Sequence, residues 1–125
     1  MAGITRGNGI DTVKTGHACD NVTVTDQCSS NVFVNGYGAC RVGDNLHIHN
    51  INIHNECVPH TAQIIHGSNV VFVNGLPVAR VWDRADHGYI TSGSVNVFAG
   101  DGFFYIITQD GSPVITQDDN FIIGS

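Results

Sequence analysis

The sequence predicts an all-β protein in which three β-hairpin repeats surround a pseudo-threefold axis and form a small cone, followed by a C-terminal β-hairpin extension. Two observations lead to this fold class: one sequence pattern occurs three times, and the composition favours strands and tight turns. The chain has 125 residues, 15 of them glycine and only one methionine, and it is rich in valine, isoleucine, asparagine and threonine. Glycine suits tight turns and β-branched side chains suit pleated surfaces.

The repeated pattern is longest in two segments, Cys28-Ser-Ser-Asn-Val-Phe-Val-Asn-Gly36 and Gly67-Ser-Asn-Val-Val-Phe-Val-Asn-Gly75. Both continue into an arginine and an aspartate that align without a gap. A shortened third copy, residues 94–100, aligns on Phe98. Three short units that cannot each bury an apolar face must pack on one another, and three equal units most simply close around an axis.

Each Asn-Gly pair predicts a tight turn, so the strands centred on Phe33 and Phe72 should turn and pair with the residues that follow. Three variable loops then begin at Asp11, Asp44 and Asp83, and closure around the axis would bring these loops together at one end. Residues 1–10 contain glycine and asparagine breakers without an amphipathic period, and we expect an extended lead-in there.

The chain length fits one domain, with the repeat cone in residues 1–100 and the extension of the same domain in residues 101–125. Ile-Thr-Gln-Asp occurs twice in the extension, on the two sides of a Gly-Ser-Pro turn, which predicts a hairpin.

The net charge is −6 with five lysines and arginines, so nucleic acid is not an expected partner. The sequence contains no apolar run of the length of a signal peptide or of a membrane span, so we expect synthesis in the cytoplasm.

The four cysteines allow three disulfide pairings, but without an export signal we favour metal ligation or burial over disulfides. Cys40 lies inside a hairpin and is expected to be a small buried thiol. Five of the seven histidines fall between His47 and His66, a bias that indicates metal binding.

Residues 67–83, with Pro77-Val78-Ala79-Arg80 at their centre, resemble the PAAR-repeat proteins, and the resemblance extends over roughly residues 4–100. Gly16-His17-Ala18-Cys19 and residues 96–100 are similar to the compact form found in phages. The resemblance implies a non-enzymatic, metal-stabilised tip that caps the trimeric β-helical central spike of a contractile injection machine and helps to pierce the target envelope. It implies location in a phage tail, after synthesis in the bacterial host, or alternatively secretion by a type VI system.

The resemblance also implies a zinc ion, with iron as an alternative, held by histidine and cysteine side chains from the three loops. Matching the loops gives four ligands: His17, Cys57, His60 and His87. His49 could replace Cys57 or His60, and Cys19 could replace His17. Taken individually, His47, His49 and His54 are expected to be polar side chains on the exposed face of the long second loop, or to form a weak second metal site.

Three further expectations concern the repeats. Asp44 and Asp83 should accept backbone N–H bonds and turn the chain, rather than act as acid and base. Arg41 and Arg80 should bridge neighbouring units or bind carbonyls. Trp82, which aligns with Gly43, should pack in the core or at the base of the cone rather than form a ligand platform.

Two alternative functions remain open. A small zinc hydrolase could use Glu56, the only glutamate, as its base, although four protein ligands would leave no position for a catalytic water. A β-rich receptor-binding module could instead act through the apolar segment 103–123, whose edge would need cover.

Overall fold

The computed structural model describes residues 2–102, and it confirms the all-β class. These residues form short antiparallel strands and no helix, so this part of the chain offers no helix able to cross a membrane. The strands are β1 (Ala2–Gly3), β2 (Thr12–Lys14), β3 (Val22–Val24), β4 (Phe33–Val34), β5 (Tyr37–Gly38), β6 (His49–Ile53), β7 (Glu56–His60), β8 (Phe72–Val73), β9 (Leu76–Pro77), β10 (Arg84–Ala85), β11 (Gly88–Ile90) and β12 (Phe98–Ala99). The hairpin expected within residues 101–125 lies, from residue 103 onward, outside the described residues, and the division at residue 100 stays a prediction.

Two of the repeats form the short hairpins that the Asn-Gly pairs predict. Strand β4 pairs with β5, and β8 pairs with β9, in the same two-residue register. The asparagine and glycine of each turn have positive φ angles, 55° and 85° at residues 35 and 36 and 55° and 80° at residues 74 and 75. Asn-Gly is the pair that tolerates this left-handed backbone best, which confirms the predicted turns.

The third short hairpin is closed by the N-terminus of the chain, so the expected extended lead-in was wrong. Strand β12 pairs with β1, with Ala2 opposite Ala99 and Gly3 opposite Phe98. Residues 2–6 therefore occupy the place that residues 37–41 and 76–80 occupy in the other two repeats. The strand was missed because its partner lies at the far end of the repeat region, and no turn connects them.

A ring of three backbone hydrogen bonds marks the pseudo-threefold axis. Thr5 N donates to Ala79 O, Ala79 N donates to Cys40 O, and Cys40 N donates to Thr5 O, each over 2.9 Å. All three residues are fully buried, which confirms the prediction for Cys40. The same cyclic order joins the flanking residues, which pair as Ile4 with Arg80, Arg41 with Val78, and Arg6 with Ala39.

Two apolar clusters share the segments that form this ring. The first cluster contains two residues from each repeat and packs beneath the short hairpins: Ile4, Val34, Ala39, Val73, Val78 and Ala99. The second packs beneath the longer segments that follow the aspartates: Val13, Cys40, Leu46, Ile64, Ala79, Ala85 and Ile90. Ala39 and the ring residue Cys40 are adjacent in the sequence but belong to different clusters. Successive residues of an extended chain point to opposite sides, so the short hairpins and the longer segments lie on opposite sides of the ring.

The three variable loops are themselves hairpins. Strands β2 and β3, β6 and β7, and β10 and β11 pair within each loop, and the first and third join in a sheet of order β10-β11-β2-β3. Each long hairpin returns to the aspartate from which it starts: Thr25 N donates to Asp11 O, Ile64 N to Asp44 O, and Ile90 N to Asp83 O. This closure fixes where each hairpin leaves the ring, whatever its length.

Candidate metal centre

Four side chains from the three long hairpins converge on one point: His17, His49, His60 and Asp86. Their ligand atoms all lie within 4.8 Å of one another. His49 and Asp86 are buried, while His17 and His60 are partly exposed. The group therefore joins three segments that are distant in sequence.

The register of the second long hairpin brings two of these histidines together. His49 and His60 are directly opposite each other on β6 and β7, so both side chains point to the same face. The turn lies at His54 and Asn55, whose φ angles are positive (52° and 66°). His49 was expected to be exposed when taken individually, and this was wrong: the side chain is only 5 % exposed.

His17 lies on the first long hairpin, and a close contact with the third long hairpin fixes its position. Thr15 O accepts a hydrogen bond from His87 N over 3.1 Å, and Thr15 Oγ1 accepts one from His17 N over 3.1 Å. Gly16 lies between them with φ of 81°, and a Cβ there would meet His87 O at 2.5 Å. Only glycine allows this approach without strain.

The third hairpin contributes Asp86 from its turn. Ala85 pairs with Gly88, so Asp86 and His87 form a two-residue turn in which Asp86 has a φ of 55°. Asp86 is buried, whereas the His87 side chain is exposed. The His87 ring stacks near His17, with 5.0 Å between centroids, but it is not one of the four converging groups. The structure thus brings Asp86 into the group where we expected His87.

The carboxylate of Asp86 is the centre of the group. His17 Nε2 lies 2.9 Å and His60 Nε2 3.3 Å from Asp86 Oδ1, and His49 Nε2 lies 2.7 Å from Asp86 Oδ2. Burial alone would raise the pKa of Asp86, but the hydrogen bonds from the three imidazoles outweigh burial, so the pKa is below its ordinary value. The carboxylate is therefore negatively charged.

The protonation of His49 follows from its second contact. Its Nδ1 lies 2.8 Å from the carbonyl oxygen of His47, and a carbonyl only accepts, so Nδ1 carries a hydrogen. Its Nε2 then faces a carboxylate oxygen, which also only accepts. Either a second proton or a metal cation must lie between them, and the two compete for the same position.

Cys57 is not available as a thiolate ligand, because it forms a disulfide bond with Cys19. This overturns our preference for metal ligation over disulfides at these two cysteines. Cys57 and His60 both lie on strand β7. Residues three apart on a strand point to opposite faces, so Cys57 cannot face the same point as His60. The disulfide instead ties the first long hairpin to the second.

The remaining candidates lie outside the group. His47, His54, His66 and Glu56 are exposed, and Glu56 pairs with Ile53 next to the turn of the second hairpin. The turn residue Asp86 was not among the predicted ligands, because the family resemblance implies only histidine and cysteine ligands. The one available indication was that Asp86 immediately precedes His87 in a short loop.

The donor set fits a metal cation. Three imidazole nitrogens and one carboxylate oxygen are ligands that zinc accepts, and two ligands of a tetrahedral zinc ion lie about 3.3 Å apart. The His60 contact with Asp86 has this length, 3.3 Å, while the His17 and His49 contacts, 2.9 and 2.7 Å, are shorter and have the length of hydrogen bonds. The Nδ1–H of His49, bound to a backbone carbonyl, is the type of outer contact that orients a histidine ligand.

The fold and the site together define a class of protein. It is a single-chain β protein with three hairpin repeats around one axis, and all three long hairpins contribute to a histidine–aspartate group suited to binding a metal. The family model of the PAAR motif matches residues 15–90, which is more than half of the chain, so this protein belongs to the PAAR-motif family. Its members are metal-binding, structural spike-tip proteins of contractile injection machines, in phage tails and type VI secretion systems, and they are not a family of enzymes. No curated protein matches the chain at a significant level.

Proposed function

We propose that this protein caps a trimeric β-helical spike through the face formed by its short hairpins, and that a zinc ion bound by the long hairpins stiffens the opposite end for piercing the target envelope. The observation that carries the docking proposal is a set of three exposed phenylalanines at equivalent positions. Phe33, Phe72 and Phe98 are 60 %, 55 % and 50 % exposed. Large apolar side chains with this exposure are characteristic of an interaction surface.

The symmetry of these phenylalanines suits a trimeric partner. Each is on the first strand of a short hairpin, β4, β8 or β12, and each precedes a buried residue of the same cluster. A pseudo-threefold face can present one equivalent contact to each subunit of a threefold partner. One chain is therefore expected per spike trimer.

We propose His17, His49, His60 and Asp86 as the zinc ligands, in place of the set with Cys57 and His87. The Cys19–Cys57 disulfide and the exposure of His87 support this revision. Iron(II) also accepts imidazole and carboxylate ligands, so elemental analysis decides the metal. A metal at this point would link three hairpins where the chain has little room for an apolar core.

The docking proposal is tested by mixing the full chain with the trimeric spike protein of the same machine and measuring the mass of the complex. We expect one chain per trimer. Replacing Phe33, Phe72 and Phe98 together by serine should weaken binding by about 100-fold or more, because three buried phenyl groups are lost from the interface.

A matched control replaces three exposed apolar residues on the side of the long hairpins, Val22, Ile48 and Ile53, by serine. This triple substitution should leave the affinity for the spike unchanged. If the control triple variant loses the spike and the phenylalanine triple variant keeps it, the short hairpins are not the docking face.

A further inference from the structure

The sheet formed by the first and third long hairpins presents a row of cationic and aromatic side chains. Tyr89 on β11 pairs with Arg84 on β10 on one side and with Lys14 on β2 on the other. Directly paired residues point to the same face of a sheet, so Tyr89 lies between the two cations. Lys14 and Arg84 are exposed, and Tyr89 is partly exposed.

Trp82 extends this row. Its ring centroid lies 5.4 Å from that of Tyr89, and the side chain is 68 % exposed. The expectation that Trp82 packs in the core or at the base was therefore wrong. Trp82 also has a φ of 78°, in the left-handed region, where the equivalent residue of the preceding repeat is Gly43 with a φ of 93°. A bulky residue with this backbone is strained, and the contact with Tyr89 leaves most of the Trp82 side chain exposed, so packing offsets little of that strain.

The two cations of this row have no directly bound acidic partner among the described residues. The other three basic residues, Arg6, Arg41 and Arg80, are paired with aspartates. Lys14 and Arg84 form no ion pair within residues 2–102, although the chain carries a net charge of −6. Two uncompensated cations beside two aromatic rings attract an anion.

These side chains, together with Gly16, His87 and Gly88, line an open groove with a volume of about 540 Å³. The groove lies within the size range of small-molecule sites. The edge of the sheet beside it is already occupied, because Arg84 O accepts hydrogen bonds from Ile65 N and His66 N, over 2.8 and 3.2 Å. A peptide therefore cannot add to this edge as a further strand.

We propose that this groove, the Trp82 groove, binds an anionic saccharide. One sugar ring stacks its C–H face on Trp82 and Tyr89, and a carboxylate or phosphate substituent is bound by Lys14 and Arg84. The two rings are tilted by 40° and form a single platform rather than two facing walls, so they cover one face of a ligand and leave its hydroxyl groups in water. None of the proposed metal ligands and none of the three phenylalanines of the docking face lines this groove, although its lining residues Gly16 and His87 adjoin His17 and Asp86 in the sequence.

The test uses the full chain and the fluorescence of Trp82, which is the only tryptophan and so reports on this groove alone. Trigalacturonate, an acidic trisaccharide, is titrated against the protein, with the neutral trisaccharide maltotriose as comparison. We expect saturable quenching by trigalacturonate, with affinity at least about tenfold higher than for maltotriose and falling as salt is added.

Two variants test the assigned roles. Lys14→Ala combined with Arg84→Ala keeps the fluorophore and should weaken binding by about tenfold or more. Trp82→Gly should abolish binding measured by calorimetry, yet keep or raise the melting temperature, because glycine relieves the strained backbone. Tyr37→Ala, an exposed aromatic residue on a short hairpin, is the control and should bind normally.

The proposal is overturned if trigalacturonate does not bind, or binds as weakly as maltotriose. It is equally overturned if hexa-aspartate, adenosine monophosphate or a peptide of residues 103–125 binds in the groove more tightly than the saccharide, or if the fluorescence reports only self-association of the chain.

Discussion

At the scale of single residues, the repeats are held by three arginine–aspartate pairs of the same geometry. Arg41 Nε and Nη2 donate to the two carboxylate oxygens of Asp44, and Arg80 and Arg6 bind Asp83 and Asp11 in the same way. The aspartates also accept the backbone N–H of their arginines, as predicted for Asp44 and Asp83. Paired, bidentate contacts of this kind fix geometry more strongly than single hydrogen bonds.

The third donor of two of the arginines reaches a neighbouring repeat, which confirms the expected bridging for Arg41. Arg41 Nη1 donates to Asn74 Oδ1 over 2.8 Å, and Arg6 Nη1 donates to Asn35 Oδ1 over 3.0 Å. Arg80 instead binds Asp101, 3.0 Å away. Arg41 and Arg6 thus each link the aspartate of their own repeat to an asparagine of a neighbouring one.

Asp11 gives a prediction about acid stability. Burial would raise its pKa, but hydrogen bonds from Arg6 and Ser92 outweigh burial and lower the pKa below its ordinary value. Its contribution to stability is therefore complete above the unfolded pKa, about 3.9, and is lost as pH falls through the lower folded pKa.

We expect Asp11→Asn to reduce the free energy of unfolding at about pH 6 and to reduce it much less at about pH 2, measured by urea denaturation. Asp26→Asn is the control, because Asp26 is exposed. An equal loss at both pH values for Asp11→Asn would show that its charge does not contribute.

At the scale of the elements, the long hairpins differ in length, yet each returns to its own aspartate. This arrangement lets the loops vary while their ends stay fixed on the ring. The second hairpin is the longest, and its register, rather than the sequence spacing of its histidines, decides which side chains face the candidate metal centre. The Cys19–Cys57 disulfide then joins it to the first hairpin.

The ligand set is tested at this scale by elemental analysis of the purified full chain. We expect about one equivalent of zinc, lost in His49→Ala and in Asp86→Ala, and retained in His87→Ala and in the double variant Cys19→Ser, Cys57→Ser. Zinc should also be released as the pH is lowered to about 5, because protons compete with the metal for imidazole nitrogen.

The cysteine variants separate the two ligand sets. The proposed set is wrong if Cys57→Ser alone loses the metal while Asp86→Ala retains it. Circular dichroism of each variant distinguishes loss of a ligand from loss of the fold.

At the scale of the whole molecule, the two ends of the repeat region close the ring. Ile4 belongs to the cluster beneath the short hairpins and is 7 % exposed, although it lies in a segment without a repeat pattern of its own. Its backbone also donates to Val97 O and pairs with Arg80. The N-terminal residues are therefore part of the core rather than a lead-in.

Ile4→Ala should lower the free energy of unfolding by about 2–5 kcal/mol, the cost of removing a large aliphatic side chain from a core. Val95→Ala, at a position that is 89 % exposed, should change it by less than about 0.5 kcal/mol. Chemical denaturation of both variants checks this. Similar values for the two would mean that the N-terminal strand does not contribute to the core.

The sequence by itself determined the all-β class, the two Asn-Gly hairpins, the buried thiol of Cys40 and the roles of Asp44 and Asp83, because these depend on local backbone preferences and on a pattern repeated at a fixed spacing. The resemblance of the sequence to the PAAR-repeat proteins also implied His17 and His60 as metal ligands, and both belong to the converging group.

Only the tertiary structure decided the rest. The third short hairpin, formed by β12 and β1, needs a strand from the other end of the repeat region. The orientation of Cys57, His87 and Asp86 depends on strand register and on one positive φ angle. The exposure of Trp82 follows from the fold around it and could not be predicted from the local sequence. A side chain's neighbours across an axis are set by how distant segments pair, and sequence spacing does not contain that information.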